Sequence, residues 1–148
     1  MKLKKPQFWD YKKPNIIAYF LWPISITLQL LNSFKKIFIS KKKFKNIKTI
    51  CIGNIYIGGT GKTSLSLKVY EILSQKKFKT CFIKKDYIDQ LDEQRILKKK
   101  GKLFKSKKRL FALKNAISEN YEVAIFDDGF QDETINYDLK FVCFNNLN

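Results

Sequence analysis

Two kinds of hydrophobic pattern divide this chain. Residues 14–34 form one long uncharged run, from Pro14 and Asn15 through Tyr19, Trp22 and Pro23 to Ser33 and Phe34. As a single helix it would reach about 30 Å, the thickness of a bilayer core. From Lys48 onward the apolar stretches become short. Thr49-Ile50-Cys51-Ile52, ending at Gly53, predicts a buried parallel strand. Leu65, Leu67, Val69, Tyr70 and Leu73 then recur at roughly helical spacing. Thr80-Cys81-Phe82-Ile83 predicts a second strand, and Leu110, Leu113, Ala116 and Ile117 mark another amphipathic helix. Glu122 to Phe126 and Leu139 to Phe144 predict two further strands. Strands alternating with helices argue for an α/β fold, a parallel sheet flanked by helices.

The segment between the first strand and its helix carries the chemistry. It reads Asn54-Ile55-Tyr56-Ile57-Gly58-Gly59-Thr60-Gly61-Lys62-Thr63. A glycine loop between strand and helix is a phosphate site: Gly58, Gly59 and Gly61 let backbone N–H groups turn toward phosphate oxygens. The helix N-terminus adds partial positive charge. Lys62 can reach β- and γ-phosphates, and the Thr63 hydroxyl can ligate Mg²⁺. The usual G-x-x-x-x-G-K-[ST] pattern wants a glycine where Tyr56 stands, so this is an unusual P-loop. Asp127 and Asp128 follow an apolar strand, where a Walker B pair holds Mg²⁺ against the phosphates.

Charge sharpens the picture of the N-terminal third. The net charge is +17, yet residues 1–50 alone carry +11, with Asp10 their single acid. Of the positive residues only Arg95 and Arg109 are arginines, the usual base readers. The basic excess flanks the apolar run: Lys12 and Lys13 before it, Lys35, Lys36 and Lys41 to Lys43 after it. Pro23 would kink a spanning helix, and polar Ser25, Thr27, Gln29 and Asn32 weaken its hydrophobicity. A helix lying in the interface, its lysines near anionic head groups, accounts for the same residues. The domain division expected is a basic, apolar membrane-associated segment at 1–46 and a P-loop core at 47–148. There is no histidine, which excludes a Ser-His or Cys-His pair and a His-ligated zinc within this chain. Cys51, Cys81 and Cys143, all in apolar runs, read as reduced, buried thiols of a cytosolic protein.

Several segments, in order, resemble the tetraacyldisaccharide 4′-kinase (lipid A 4′-kinase) family. Pro6-Gln7-Phe8-Trp9 is similar to the family's opening Pro-x-Phe-Trp. Gly53-Asn54-Ile55 with Gly58 to Thr63 resembles its P-loop, including the missing first glycine. Asp127-Asp128-Gly129-Phe130-Gln131 resembles its Asp-Asp-Gly-Phe-Gln signature. The resemblance implies phosphoryl transfer from MgATP to the 4′-hydroxyl of a tetraacyldisaccharide 1-phosphate, the lipid A disaccharide precursor, at the cytoplasmic face of the bacterial inner membrane. It implies phosphate contacts for Gly58, Gly59, Thr60, Gly61, Lys62 and Thr63, and metal contacts for Thr63, Asp127 and Asp128, with Lys62 and Asp128 also catalytic. The family's Gly-Asp-Glu aligns with Leu91-Asp92-Glu93, which makes Asp92 the candidate base. Its Arg-Gly-Tyr aligns with Lys85-Asp86-Tyr87, leaving Tyr87 as a substrate candidate with Arg109 and Gln131.

Members of the family are roughly twice this length and carry a second α/β domain, whose histidine assists the base. The chain is therefore expected to be the N-terminal half of a two-domain kinase, binding nucleotide but transferring no phosphate by itself. Two rival readings stand beside this one. A membrane-associated deviant P-loop ATPase with a protein partner usually has Lys before the Gly-Gly, where Ile57 stands here. A basic nucleic-acid-binding module predicts lysines interleaved with exposed aromatics on the folded domain, so no nucleic-acid partner is expected.

Overall fold

A computed structural model describes residues 16–38, 40–54, 61–87 and 91–144. It divides into two compact units, residues 1–40 and 41–148. The second unit thus begins upstream of the boundary expected after residue 46. The cause is a backbone clasp: the Lys42 N–H donates to the Thr134 carbonyl (2.9 Å), and the Asn136 N–H to the Lys42 carbonyl (2.9 Å).

The described part of the first unit is one helix, α1 (Ile16–Phe38), with Pro23 inside it. The Thr27 hydroxyl donates to the Ile24 carbonyl (2.8 Å), one turn back. Tyr19, Phe20, Leu21, Trp22, Leu28 and Leu31 are all exposed. No helix among the described residues is long and apolar enough to cross a membrane. The polar residues that interrupt the run, Ser25, Thr27 and Gln29 among them, explain why.

The second unit is a parallel sheet with helices on both faces. Its elements are β1 (Lys48–Asn54), α2 (Lys62–Gln75), β2 (Thr80–Lys85), α3 (Leu91–Lys100), β3 (Leu103–Ser106), α4 (Arg109–Ser118), β4 (Val123–Asp127) and β5 (Leu139–Cys143). The strands lie in the order β3-β2-β4-β1-β5, every pair parallel. The period of two sorts the core. Ile50, Ile52, Phe82, Val123 and Ile125 pack on one face with Leu97 of α3 and with Leu65, Val69, Tyr70 and Leu73 of α2. Cys51, Cys81, Ile83, Ala124 and Phe126 pack on the other with Ala112, Leu113 and Ala116 of α4. The central strands are buried along nearly their whole length, as parallel strands covered on both sides must be. Burial pushes the Cys51 and Cys81 thiols up to about 12, so both stay protonated at neutral pH. Cys143, on the edge strand, is half-buried rather than buried.

The sequence pattern does not announce α3 or β3. Lysines fill the last turn of α3 and follow at once in Lys102, Lys105, Lys107 and Lys108. They bury the apolar signal of Leu97 and Phe104, which are nonetheless core residues.

Candidate functional site

Register brings the candidate residues to one end of the sheet. Ile52 of β1 pairs with Asp127 of β4, so the chain leaving β1 and the acids ending β4 emerge side by side. This is the carboxyl edge of a parallel sheet, where open α/β folds bind ligands. Gly61, at φ +75° in the left-handed region, turns the chain into α2 with no side-chain cap on the helix. No side chain therefore caps the first backbone N–H groups of α2. Gly58, Gly59 and Thr60 of the loop lie outside the described residues.

Lys62 opens α2 and bridges the two strand ends. Its Nζ donates to Asn54 Oδ1 (3.0 Å) and lies 3.2 Å from Asp128 Oδ1, both side chains about one-fifth exposed. Asp128 has a φ of +61°, uncommon for a residue with a Cβ. The turn is held from several sides. The Asp128 N–H donates to the Ile52 carbonyl (2.8 Å), the Arg109 Nη2 donates to the Asp128 carbonyl, and the Tyr137 hydroxyl donates to the Gly129 carbonyl (3.2 Å). Gly53 completes the fit: a Cβ there would stand 2.1 Å from Phe130 Cδ2. The Gly53-Asn54 and Asp-Asp-Gly-Phe segments are thus one packed unit.

Asp127 faces the other way. As the residue two beyond Ile125, it points to the α2/α3 face and is fully buried. Its Oδ1 accepts from the Ser66 hydroxyl (3.2 Å) and its Oδ2 from the Lys84 ammonium (2.6 Å). Lys84 also donates to Glu93 Oε2. Burial works against the Lys84 charge, but the Asp127 and Glu93 carboxylates outweigh it and hold the ammonium above the ordinary lysine value. Among the described residues, no group of three or more Asp, Glu, Cys or His side chains gathers as a metal cluster.

The structure thus brings Lys62 to Asp128, turns Asp127 into a separate buried cluster, and keeps the other candidates apart. Thr63 is half-buried at the start of α2. Asp92 stands in the first turn of α3 with its side chain 96% exposed, 3.8 Å from Arg95. It is not part of the acid cluster; its neighbour Glu93 is. Arg109, expected to meet substrate, is 3% exposed and spends its guanidinium on the Asp128 backbone. Its Nε has no hydrogen-bond partner among the described residues. Tyr87 is half-buried, its carbonyl accepting from Gln94 Nε2 (2.9 Å), and Gln131 is exposed. Sequence reasoning missed Lys84, Glu93 and Ser66. Lys84 did carry a signal, a lysine directly continuing the apolar Cys81-Phe82-Ile83 at strand periodicity.

The sequence pattern of the family described as tetraacyldisaccharide-1-P 4′-kinase matches residues 17–103. The chain is 61% identical over its full length to a tetraacyldisaccharide 4′-kinase of Pelagibacter ubique strain HTCC1062, covering 46% of that protein. It is 37% identical to the same-named protein of Rickettsia bellii, over 66% of this chain and 30% of the relative. A Rickettsia felis relative is 31% identical over 96% of this chain and 48% of its own. Among solved structures, LpxK from Aquifex aeolicus, described as an "apo" form in complex with ATP, superposes with a TM-score of 0.67 at 22% identity. That match covers 86% of this chain and 49% of the other. The chain spans less than half the length of these curated relatives.

Proposed function

Because the chain belongs to the tetraacyldisaccharide-1-phosphate 4′-kinase family, we propose that it forms the nucleotide-binding part of a kinase acting on the lipid A disaccharide precursor. The reaction is transfer of the γ-phosphoryl group of ATP to the 4′-hydroxyl of tetraacyldisaccharide 1-phosphate. The observation that carries this reading is the meeting of Lys62, at the head of α2, with Asp128, at the end of β4.

The roles proposed combine the family resemblance with where each described side chain stands. The family resemblance gives Gly58 to Thr63 the phosphate contacts, and the N-terminus of α2 adds partial positive charge to them. Lys62, held between Asn54 and Asp128, swings to the β- and γ-phosphates when nucleotide arrives, exchanging one anion for another. Thr63 and Asp128 would hold a Mg²⁺ ion, which neutralises charge on the phosphate oxygens. Asp127 does not fit a directly bound ion, because the buried Lys84 ammonium stands 2.6 Å from its Oδ2 and a second cation there would meet a like charge. Arg109 keeps the Asp128 turn in place rather than meeting substrate. Asp92, open to solvent on α3, takes the proton of the attacking sugar hydroxyl. Tyr87 and Gln131 keep the substrate contacts that the family resemblance implies.

The same reading assigns α1 to the membrane. Its exposed Phe20, Trp22, Leu28 and Leu31 enter the interface of an anionic bilayer, and the flanking lysines rest on its head groups. We infer from the family resemblance that this surface is the cytoplasmic face of the inner membrane.

The decisive experiment measures binding of a fluorescent ATP analogue to the full chain and to Lys62→Ala. We expect at least a tenfold loss of affinity in the variant. Equal affinity in both proteins would overturn the phosphate-site assignment. Transfer of radiolabelled phosphate to the lipid acceptor tests the remainder of the reading.

A further inference from the structure

Lys84 is the charged group that phosphoryl transfer leaves without a task. Four elements converge on it. β2 supplies Lys84 itself, on the same face as Phe82; β4 supplies Asp127; α2 supplies Ser66; α3 supplies Glu93. The Lys84 and Asp127 side chains are each 1% exposed, while Glu93 remains 43% exposed and closes the cluster from outside. An ammonium has three donors and no acceptor, and here it places donors on two carboxylates. Leaving a buried lysine or aspartate unpaired would be strongly unfavourable, so neither charge can leave alone.

We propose that Lys84 is a tethered cation, standing between Asp127 and Glu93 where a divalent ion would otherwise bind. A metal ion ligated by Asp127 would lie a few ångströms from a like charge that is anchored through its own backbone. The site's divalent ion therefore belongs to the half-open Asp128 side, and Asp127 acts on it only through the shape of the β4 turn. Both carboxylates accept from the ammonium, so its charge is paired where it stands. The catalytic meaning of this arrangement rests on the kinase reading. The cation count does not, since it is read without nucleotide or lipid.

The test counts bound Mn²⁺ by electron paramagnetic resonance on the full chain and three variants. A tethered cation predicts that Asp127→Asn changes Mn²⁺ affinity less than twofold. It also predicts that Lys84→Met gains a Mn²⁺ site at least tenfold tighter than any in the parent chain, lost again in Lys84→Met/Asp127→Asn. If Lys84→Met is unfolded in chelator, recovery of its thermal transition on adding Mn²⁺ supports the proposal equally. A tenfold loss of Mn²⁺ binding in Asp127→Asn would overturn it, because Asp127 would then be a direct ligand. So would a Lys84→Met chain that binds no more Mn²⁺ than the parent, or that Mn²⁺ fails to refold. Failure of the kinase reading would appear elsewhere, as absent nucleotide binding with these counts intact.

Discussion

Asp127 and Asp128 are neighbours in sequence and opposites in structure. Asp127 ends the last regular step of β4, so the strand alternation carries it down among Ser66, Lys84 and Glu93, sealed from water. Asp128 has left the strand; its left-handed φ swings it outward, toward Lys62 and the half-open side. Each acid has a lysine partner, but the pairs differ in what surrounds them. The inner pair is 1% exposed on both sides, the outer pair about 20%. A signature that reads as one metal-binding motif thus divides into a buried ion pair and a half-open one. The dividing device is a single change of backbone angle.

Removing the charge from each lysine separates the two roles most sharply. Lys84→Met should cost about 3–5 kcal/mol, because it strands a buried carboxylate. Lys62→Met should cost less than about 1 kcal/mol, since its pair is partly solvated. Urea titrations of the two variants and the parent chain measure both. Nucleotide binding should rank them in the opposite sense, with Lys62→Met affected and any folded fraction of Lys84→Met binding near normally. Equal destabilisation by both substitutions would erase the distinction between the pairs.

How far this arrangement could be read from the sequence depends on where the signal resided. β1, β2, β4 and β5 are legible as short, nearly continuous apolar runs, and α2 and α4 because apolar residues recur at about 3.6. Lys62, Asp127 and Asp128 are legible because a glycine loop and a post-strand acid pair carry recognisable chemistry. α3 and β3 are not, since each offers one buried anchor, Leu97 or Phe104, in a lysine-rich stretch. Lys84 is legible as a strand residue but not as an interior one. A lysine in a strand normally signals the edge or the surface. Only the sheet order, which sets β2 beside β4, supplies the carboxylate that makes its burial tolerable. Arg109 shows the converse: the family resemblance makes it a substrate candidate, while the fold uses it to brace a carbonyl.

The bracing of the outer acid can be weakened without touching any charge. Gly53→Ala drives a methyl group into the Phe130 ring, which packs against the α4-side core. Overpacking of this kind costs about 1–3 kcal/mol. If the clash is what matters, Gly53→Ala/Phe130→Leu should be more stable than the sum of the two single changes predicts, by at least about 0.5 kcal/mol. Strict additivity in a double-mutant cycle would mean that the two segments do not support each other. Because the turn carries Asp128, Gly53→Ala should also weaken nucleotide binding more than its modest stability cost suggests.

The smallest effect expected lies at the far end of β1 and isolates an acid that serves the fold alone. Asp138 Oδ2 accepts from the Thr49 N–H (2.9 Å) and hydroxyl (3.0 Å), and the Asp138 N–H donates to the Thr49 carbonyl (3.0 Å). Burial opposes ionisation, but the two Thr49 donors outweigh it and hold the carboxyl below its ordinary value of 3.8. A carboxylate whose folded value is depressed contributes stability above its unfolded value and loses it as pH falls through the folded one. Asp138→Asn should therefore lower stability by about 1 kcal/mol at pH 7. The gap between variant and parent should be unchanged down to about pH 5 and shrink below about pH 4. Urea midpoints at pH 7, 5 and 3 read this directly. A gap that persists undiminished at pH 3 would mean that Asp138 acts through its shape rather than its charge. It would then resemble neither Asp127, which is anchored by a buried cation, nor Asp128, which faces one across a half-open site.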